Sequence, residues 1–82
     1  MAVRSDIRAQ LTKLDEQIID LLGERMNLCQ KATEEEEHAF DGATQAEMIS
    51  AWEEAAEEQG MNPVHMNHLC KMVMKLCQAT EE

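Results

Sequence analysis

Residues 8–25 read RAQLTKLDEQIIDLLGER and decide the fold of this chain. Apolar side chains recur here at alternating steps of three and four residues, the spacing that places them on one face of an α-helix. Three charged residues, Arg8, Asp15 and Arg25, lie on the same stripe. The apolar members of the stripe are Leu11, Ile18, Leu22 and Cys29. A guanidinium on an apolar face is costly unless a carboxylate or an anionic ligand pairs with it. The stretch therefore predicts a helix that carries either buried ion pairs or an anion site.

The composition predicts a single domain, residues 1–82, with an aliphatic core. The chain has one Trp, one Phe and no Tyr, so Leu, Ile, Val, Met and Cys must fill the interior. A chain of 82 residues can bury only a modest core. Its long first helix carries more apolar side chains than two short helices can cover. We therefore expect a homodimer, in which a second chain supplies the missing contacts.

The net charge and the cysteines limit the partners and the compartment that this chain can have. A formal net charge of -10 argues against nucleic acid and against anionic membranes as partners. The sequence has neither an apolar run of bilayer length nor the regions of a signal peptide, which predicts a soluble, cytoplasmic protein. The three cysteines, Cys29, Cys70 and Cys77, all fall on apolar helical stripes. We expect buried thiols in a reducing compartment rather than a disulfide framework.

The first helix is predicted from Ser5, a good N-cap, to about Thr33. Gly23 lowers its stability by about 1 kcal/mol relative to alanine without ending it. The run Glu34–Glu37 then places four like charges at the end of the helix where its dipole disfavours them. We expect the helix to fray there. The run is most simply a solvated turn; the alternative is a contact for a cation or a basic partner.

The second helix is predicted from Thr44 to Gln59. Residues 40–43 read as a turn, and Thr44 with Glu47 forms a capping box. Gly60 supplies the glycine that commonly follows a helix C-terminus. The expected buried stripe of this helix is Met48, Ile49, Trp52, Ala55 and Ala56.

The third helix is predicted to begin after Asn62, its N-cap, with Pro63 in the first helical position. Its apolar stripe is Met66, Leu69, Cys70, Val73, Leu76 and Cys77. His65 and His68, together with nearby Met and Cys side chains, could hold a soft metal ion. A core stripe is the simpler interpretation, so we predict no metal. The fold class is all-α, with one long N-terminal helix and two shorter ones.

The spacing of the two arginines predicts where an anion would bind. Arg8 and Arg25 are seventeen residues apart, so their Cα atoms lie about 25 Å apart along one straight helix. One small ligand cannot contact both within a chain. If two long helices pack antiparallel about a two-fold axis, Arg8 of one protomer approaches Arg25 of the other. Paired guanidinium groups suit a small dicarboxylate, because each planar fork binds carboxylate oxygens bidentately.

Residues 7–25 resemble the signature of the all-helical, AroQ-type chorismate mutases. They read I-R-x-x-L-x-x-L-D-x-x-I-x-x-L-L-x-x-R, where the family has roughly I-R-x-x-I-D-x-I-D-x-x-L-x-x-L-L-x-x-R. The resemblance implies an intertwined helical homodimer in which Arg8 of the partner subunit and Arg25 bind the two carboxylates of chorismate. Such enzymes of the shikimate pathway convert chorismate to prephenate by a pericyclic reaction without a cofactor. A relative in the same family removes pyruvate from isochorismate.

The resemblance also implies roles for residues of the later helices. The D-x-x-R-E element that opens the second helix of the family falls on Asp41 to Gln45, with Thr44 in place of the arginine. In the last helix, the family's serine position falls on Cys77 and its Gln or Glu position on Glu81. The implied catalytic residues are Arg8, Arg25, Gln45 and Glu81. The implied substrate-binding residues are Arg8, Arg25, Asp41 and Cys77.

The main departure from the family is Glu36, eleven residues after Arg25, where the family places an essential lysine. A carboxylate facing a dianionic ligand in a partly desolvated site repels it by several kcal/mol. One hypothesis is an enzyme in which His38 or Lys31 replaces the lysine. The other is a non-catalytic dimer that binds a ligand or a protein partner. A purely structural alternative pairs the arginines with Asp15 or with acids of the partner chain.

Overall fold

The computed structural model describes residues 2–36 and 39–78. These residues form three helices, α1 (Ala2–Glu35), α2 (Gly42–Glu58) and α3 (Pro63–Gln78), and contain no β-strand. The predicted all-α class, with one long helix followed by two short ones, is confirmed. None of the described helices combines the length and the apolar character that a membrane span requires.

Helix α1 sets the length of the molecule. Its 34 residues span about 51 Å at about 1.5 Å per residue, and the longest dimension of the fold is 53 Å. The helix begins at Ala2, so the prediction of Ser5 as its N-cap is wrong. Nothing in the preceding residues breaks a helix, and a favourable cap does not force a start. The helix ends at Glu35, two residues beyond the predicted Thr33 and inside the acidic run.

The N-cap of helix α2 lies three residues earlier than the sequence suggested. Asp41 is its N-cap, and the Oδ1 atom of Asp41 accepts a hydrogen bond of 2.9 Å from the backbone N–H of Thr44. The prediction of Thr44 as the cap is therefore wrong. Aspartate competes successfully for this role because it is a strong acceptor and its charge suits the positive end of the helix dipole. Its hydrogen bonds with Thr44 lower the pKa of the Asp41 carboxyl from its usual 3.8.

The end of α2 is a Schellman motif centred on Gly60. The Gly60 N–H donates to the carbonyl of Glu57 at 3.1 Å, and the Met61 N–H donates to the carbonyl of Ala56 at 2.7 Å. Gly60 has a φ of 78°, a conformation that residues with a Cβ rarely adopt. The predicted role of this glycine is confirmed.

Helix α3 begins as the sequence predicted. The Oδ1 atom of Asn62 accepts hydrogen bonds from the N–H groups of Val64, at 2.8 Å, and His65, at 3.3 Å. Pro63 occupies the first helical position. The short connection lets α2 and α3 pack as a helical hairpin. Across it, Nδ2 of Asn67 donates to Oε2 of Glu53 at 2.8 Å.

A disulfide between Cys29 and Cys77 joins α1 to α3, with the two Cα atoms 5.9 Å apart. The prediction of three thiols is therefore wrong, and only Cys70 remains a buried thiol. Both bonded residues lie on the apolar stripes that the sequence identified. Periodicity within each helix cannot show which residues of two stripes meet, and a disulfide depends on that register. The buried core is small and consists of Cys29, Ala56, Cys70 and Val73.

Most of α1 is left uncovered by the other residues that the structure describes. Every side chain from Asp6 to Leu21 is exposed, whereas Leu22 is half-buried and Cys29 is buried against the hairpin. The same helical stripe is thus covered at its C-terminal end and open over the rest of its length. The exposed large apolar residues of α1 are Ile7, Leu11, Leu14, Ile18, Ile19, Leu21 and Leu28.

Candidate functional site

Arg25 is a predicted site residue that lies beside the small core. It is half-buried on α1, one turn before Cys29. Its Nη2 atom lies 3.9 Å from the sulfur of Met48, and its Cζ atom lies 6.0 Å from the centre of the Trp52 ring. Both partners belong to α2 and neither is charged. Arg25 therefore joins α1 to α2 through contacts that leave its positive charge unneutralised.

The positive charge of Arg25 affects the pKa of the buried Cys70 thiol. Burial raises the pKa of the Cys70 thiol, while the positive charge of Arg25 acts in the opposite direction. The carboxylate of Glu53 adds to the effect of burial. Asn67 holds that carboxylate toward α3. The three helices thus meet around one cation, one carboxylate and one neutral thiol.

Arg8 lies far from this region. It is exposed on α1, seventeen residues before Arg25 on the same uninterrupted helix. The rise of an α-helix therefore separates the two Cα atoms by about 25 Å. Arg8 borders a shallow groove of about 460 Å³ on the surface of α1, together with Thr12, Lys13 and Glu16. A single chain does not bring the two arginines together.

Asp41 and Gln45 both form hydrogen bonds at the N-terminal end of α2. Asp41 is exposed, and its carboxylate serves as the helix cap described above. Gln45 is half-buried, and its Nε2 atom donates a hydrogen bond of 2.7 Å to the carbonyl of Phe40. The amide group of Gln45 is therefore held in place by the backbone. Its side-chain oxygen is the atom with which it could accept a hydrogen bond from a ligand hydroxyl.

Cys77 has no S–H to donate, because its sulfur is bonded to Cys29. It can meet a ligand only through sulfur and carbon, unlike the serine of the family pattern.

Glu36 is exposed and is the first residue after α1, about 16 Å along the helix axis from Arg25. Lys31 is exposed on α1. Glu81 and His38 lie outside the described residues.

The sequence did not identify Met48 and Trp52 as part of the site, although it placed both in a buried stripe. Both are half-buried in the structure, and they lie one turn apart on α2. A signal was available, because Arg25 lies near the covered end of the apolar stripe of α1, where it is expected to contact a residue of another helix. Which residue it contacts depends on how the helices pack, and no local pattern fixes that.

Other surface features stand apart from Arg25. A groove of about 490 Å³ runs between α2 and α3 and contains none of the predicted site residues. His65 and His68 are both exposed on α3. Across residues 2–36 and 39–78, no three His, Cys, Asp or Glu side chains are grouped so as to hold a metal ion. Arg25 and its α2 partners are thus the best-defined candidate site.

A comparison with protein families matches residues 7–82 to chorismate mutase type II. The match begins at the isoleucine that opens the motif of α1 and extends through both shorter helices. Comparisons with curated proteins and with solved structures give no match.

Proposed function

This chain belongs to the chorismate mutase type II family, and we propose on that basis that it binds chorismate and rearranges it to prephenate. The observation that carries the proposal is the environment of Arg25. Within residues 2–36 and 39–78, the half-buried guanidinium contacts the uncharged side chains of Met48 and Trp52, and it retains the charge needed to bind a carboxylate.

The alternative pairing of Arg25 with Asp15 of the same chain does not fit the helix. Ten residues separate them along α1, which corresponds to about 15 Å. Asp15 is also exposed, in the part of α1 that has no cover. An ion pair forms only within about 4 Å. A ligand carboxylate is the better partner for Arg25.

The open stripe of α1 supports a homodimer. The exposed large apolar side chains of α1 extend from Ile7 to Leu28, about 32 Å along the helix. Burying the remaining area of each large aliphatic side chain contributes about 1 kcal/mol. Two α1 helices packed antiparallel would cover each other's stripes and place Arg8 of the partner subunit near Arg25. Each dimer would then hold two equivalent sites, completed by both chains.

In the proposed reaction, the ether C–O bond of chorismate breaks as the new C–C bond forms, in one concerted step. No proton or electron leaves the substrate, so the reaction needs no cofactor. The two arginines would hold the substrate carboxylates in a compact conformation, and positive charge would stabilise the ether oxygen. Gln45 and Glu81 are the proposed polar contacts, and Asp41 and Cys77 would line the site.

Loss of chorismate absorbance on incubation with the purified protein tests the proposal. We expect a rate above that of the uncatalysed reaction, which is abolished by Arg25→Ala. Lys71→Ala is the matched control, because Lys71 is an exposed cation on α3 that is not part of the proposed site. A wild-type rate equal to the uncatalysed one would refute the catalytic proposal.

Glu36 favours a second candidate function, a non-catalytic dimer that binds a dicarboxylate or a protein partner. Glu36 carries a negative charge where the family has its essential lysine, and Thr44 replaces an arginine. The variant Glu36→Lys separates the two candidates. If it gains mutase activity or affinity for a transition-state analogue, the chain has the family site with one essential group missing. If it gains neither, the chain is not simply the family site with its lysine lost.

The proposed biosynthetic role would place the protein in the cytoplasm. The Cys29–Cys77 disulfide is of a kind that oxidising compartments preserve and cytosolic reductants remove. Labelling of free thiols in rapidly quenched cells, read by mass spectrometry, tests the location. Labelled Cys29 and Cys77 would agree with a cytoplasmic protein, whereas an intact disulfide would contradict that location.

A further inference from the structure

We propose that Trp52 and Met48 are positioning residues for Arg25, which fix the direction of its guanidinium without neutralising its charge. This inference rests on the proposed function of Arg25 as an anion-binding residue. It explains how the guanidinium would already have its binding orientation in the free protein.

Met48 and Trp52 contact the Arg25 guanidinium in different ways. The guanidinium has five N–H donors in a planar fork. Its Nη2 atom points toward the sulfur of Met48 at 3.9 Å, a weak acceptor that engages one edge of the fork. The Trp52 ring lies 6.0 Å from Cζ, at the outer range of a cation–π contact. Two neighbours from successive turns of α2 restrict the rotation of the fork and leave its other donors for a carboxylate.

Met48 and Trp52 are uncharged, although α2 is rich in acidic residues. Helix α2 carries five glutamates, Glu47, Glu53, Glu54, Glu57 and Glu58. The positions that contact Arg25 are a methionine and a tryptophan instead. A glutamate at either position would bind the guanidinium itself and compete with an anionic ligand. An aliphatic residue would fill the space but would hold the fork less firmly.

Trp52 also provides a direct measurement. It is the single tryptophan of the chain, and the chain has no tyrosine. Nearly all of the intrinsic fluorescence therefore comes from one indole ring beside Arg25. A dicarboxylate that binds this guanidinium should change the emission of that ring in a saturable way.

The first arm of the test is independent of any ligand. In the free protein labelled with nitrogen-15, we expect the indole ring current to shift the Arg25 Nε–H resonance, and Trp52→Leu to remove that shift. Met48→Leu keeps the volume of the side chain but removes the sulfur acceptor, and we expect faster exchange of the guanidinium protons. If both variants leave the Arg25 signals unchanged while the protein stays folded, the positioning proposal is wrong.

The second arm measures binding of prephenate by calorimetry in every variant, and also by Trp52 fluorescence in the proteins that keep this residue. We expect Trp52→Leu to weaken binding about tenfold and Trp52→Phe, which keeps an aromatic face, to weaken it by about threefold. Ile49→Val is the control, because Ile49 is half-buried on the same helix but is absent from the Arg25 contacts. Circular dichroism checks that each variant keeps its helices.

The outcomes distinguish the two proposals. If the wild type binds no prephenate, the proposed function fails, and the first arm alone decides on positioning. If the wild type binds and Trp52→Leu binds equally well, positioning fails and the proposed function stands. Binding that calorimetry detects but Trp52 fluorescence does not would place the ligand away from Arg25 and overturn both.

Discussion

At the scale of single residues, the difference between Arg8 and Arg25 comes from their surroundings. Arg8 is exposed on the open part of α1, whereas Arg25 is half-buried beside Met48 and Trp52. Seventeen residues of continuous helix keep the two apart, as their spacing in the sequence predicted. The uncharged partners of Arg25 were not predictable, because they belong to another helix and depend on tertiary packing.

The variant Arg25→Lys tests whether the planar fork of Arg25, rather than its charge alone, is needed. Lysine keeps the positive charge but cannot bind a carboxylate bidentately. We expect kcat/KM for chorismate to fall about 100-fold, the effect of losing about 2.7 kcal/mol of transition-state stabilisation. Lys71→Arg, at an exposed site on α3, should leave kcat/KM unchanged. Equal activity of Arg25→Lys and wild type would show that charge alone suffices.

The Asp41 cap predicts a dependence of stability on pH. Its pKa is lower in the folded chain than its usual 3.8, so its contribution is complete above that value and is lost as the pH falls through the folded pKa. We expect the wild type to lose more thermal stability than Asp41→Asn when the pH falls from about 6 to about 2, since asparagine caps a helix without titrating. Thermal unfolding followed by circular dichroism measures this difference.

The control for Asp41 is Glu57→Gln, which removes an exposed carboxylate elsewhere on α2. Its stability should follow that of the wild type with pH, apart from a constant offset. If Asp41→Asn shows the same loss of stability with acid as the wild type, the cap does not contribute to the acid sensitivity of the fold.

At the scale of the helices, the sequence predicts some local capping signals but not the long-range contacts between helices. Gly60, Asn62 and Pro63 were predicted correctly, because each acts on its own backbone within a few residues. The caps predicted at Ser5 and Thr44 were wrong, since an adjacent stretch or a better cap competed with each. The disulfide was missed because it depends on how α1 and α3 align.

The disulfide should contribute much of the stability that attaches α1 to the hairpin. Cys29 and Cys77 are 48 positions apart, and closing a loop of that length stabilises the folded state by about 4 kcal/mol through the entropy of the unfolded chain. We expect a dithiol reductant to lower the free energy of unfolding by about that amount, measured by urea denaturation at a fixed protein concentration.

Two variants control the disulfide experiment. Cys70→Ala should keep its sensitivity to the reductant, because Cys70 is a free thiol. The double variant Cys29→Ser with Cys77→Ser should be insensitive to it. Titration of thiols in the unfolded, unreduced wild type should detect one per chain, whereas three would contradict the disulfide.

At the scale of the whole molecule, the open stripe of α1 is the main unsatisfied feature of a single chain. Ile18 is 53% exposed in the middle of that stripe, on a helix that the hairpin covers only beyond Leu21. A charge placed there would be buried without a partner in an antiparallel dimer of α1 helices, which is costly. We expect Ile18→Glu to dissociate the dimer and to abolish binding of prephenate, since each proposed site needs Arg8 of the partner subunit.

Ala9→Glu provides the control for this last experiment, because it adds the same charge to the opposite face of α1, where the side chain is also exposed. Sedimentation equilibrium should give a dimer for the wild type and for Ala9→Glu, and a monomer for Ile18→Glu. A wild-type monomer, or an Ile18→Glu dimer that binds prephenate normally, would show that the open stripe is not the dimer interface. In either case, Arg8 would have no role in completing the Arg25 site, and anion binding would depend on the helices of one chain.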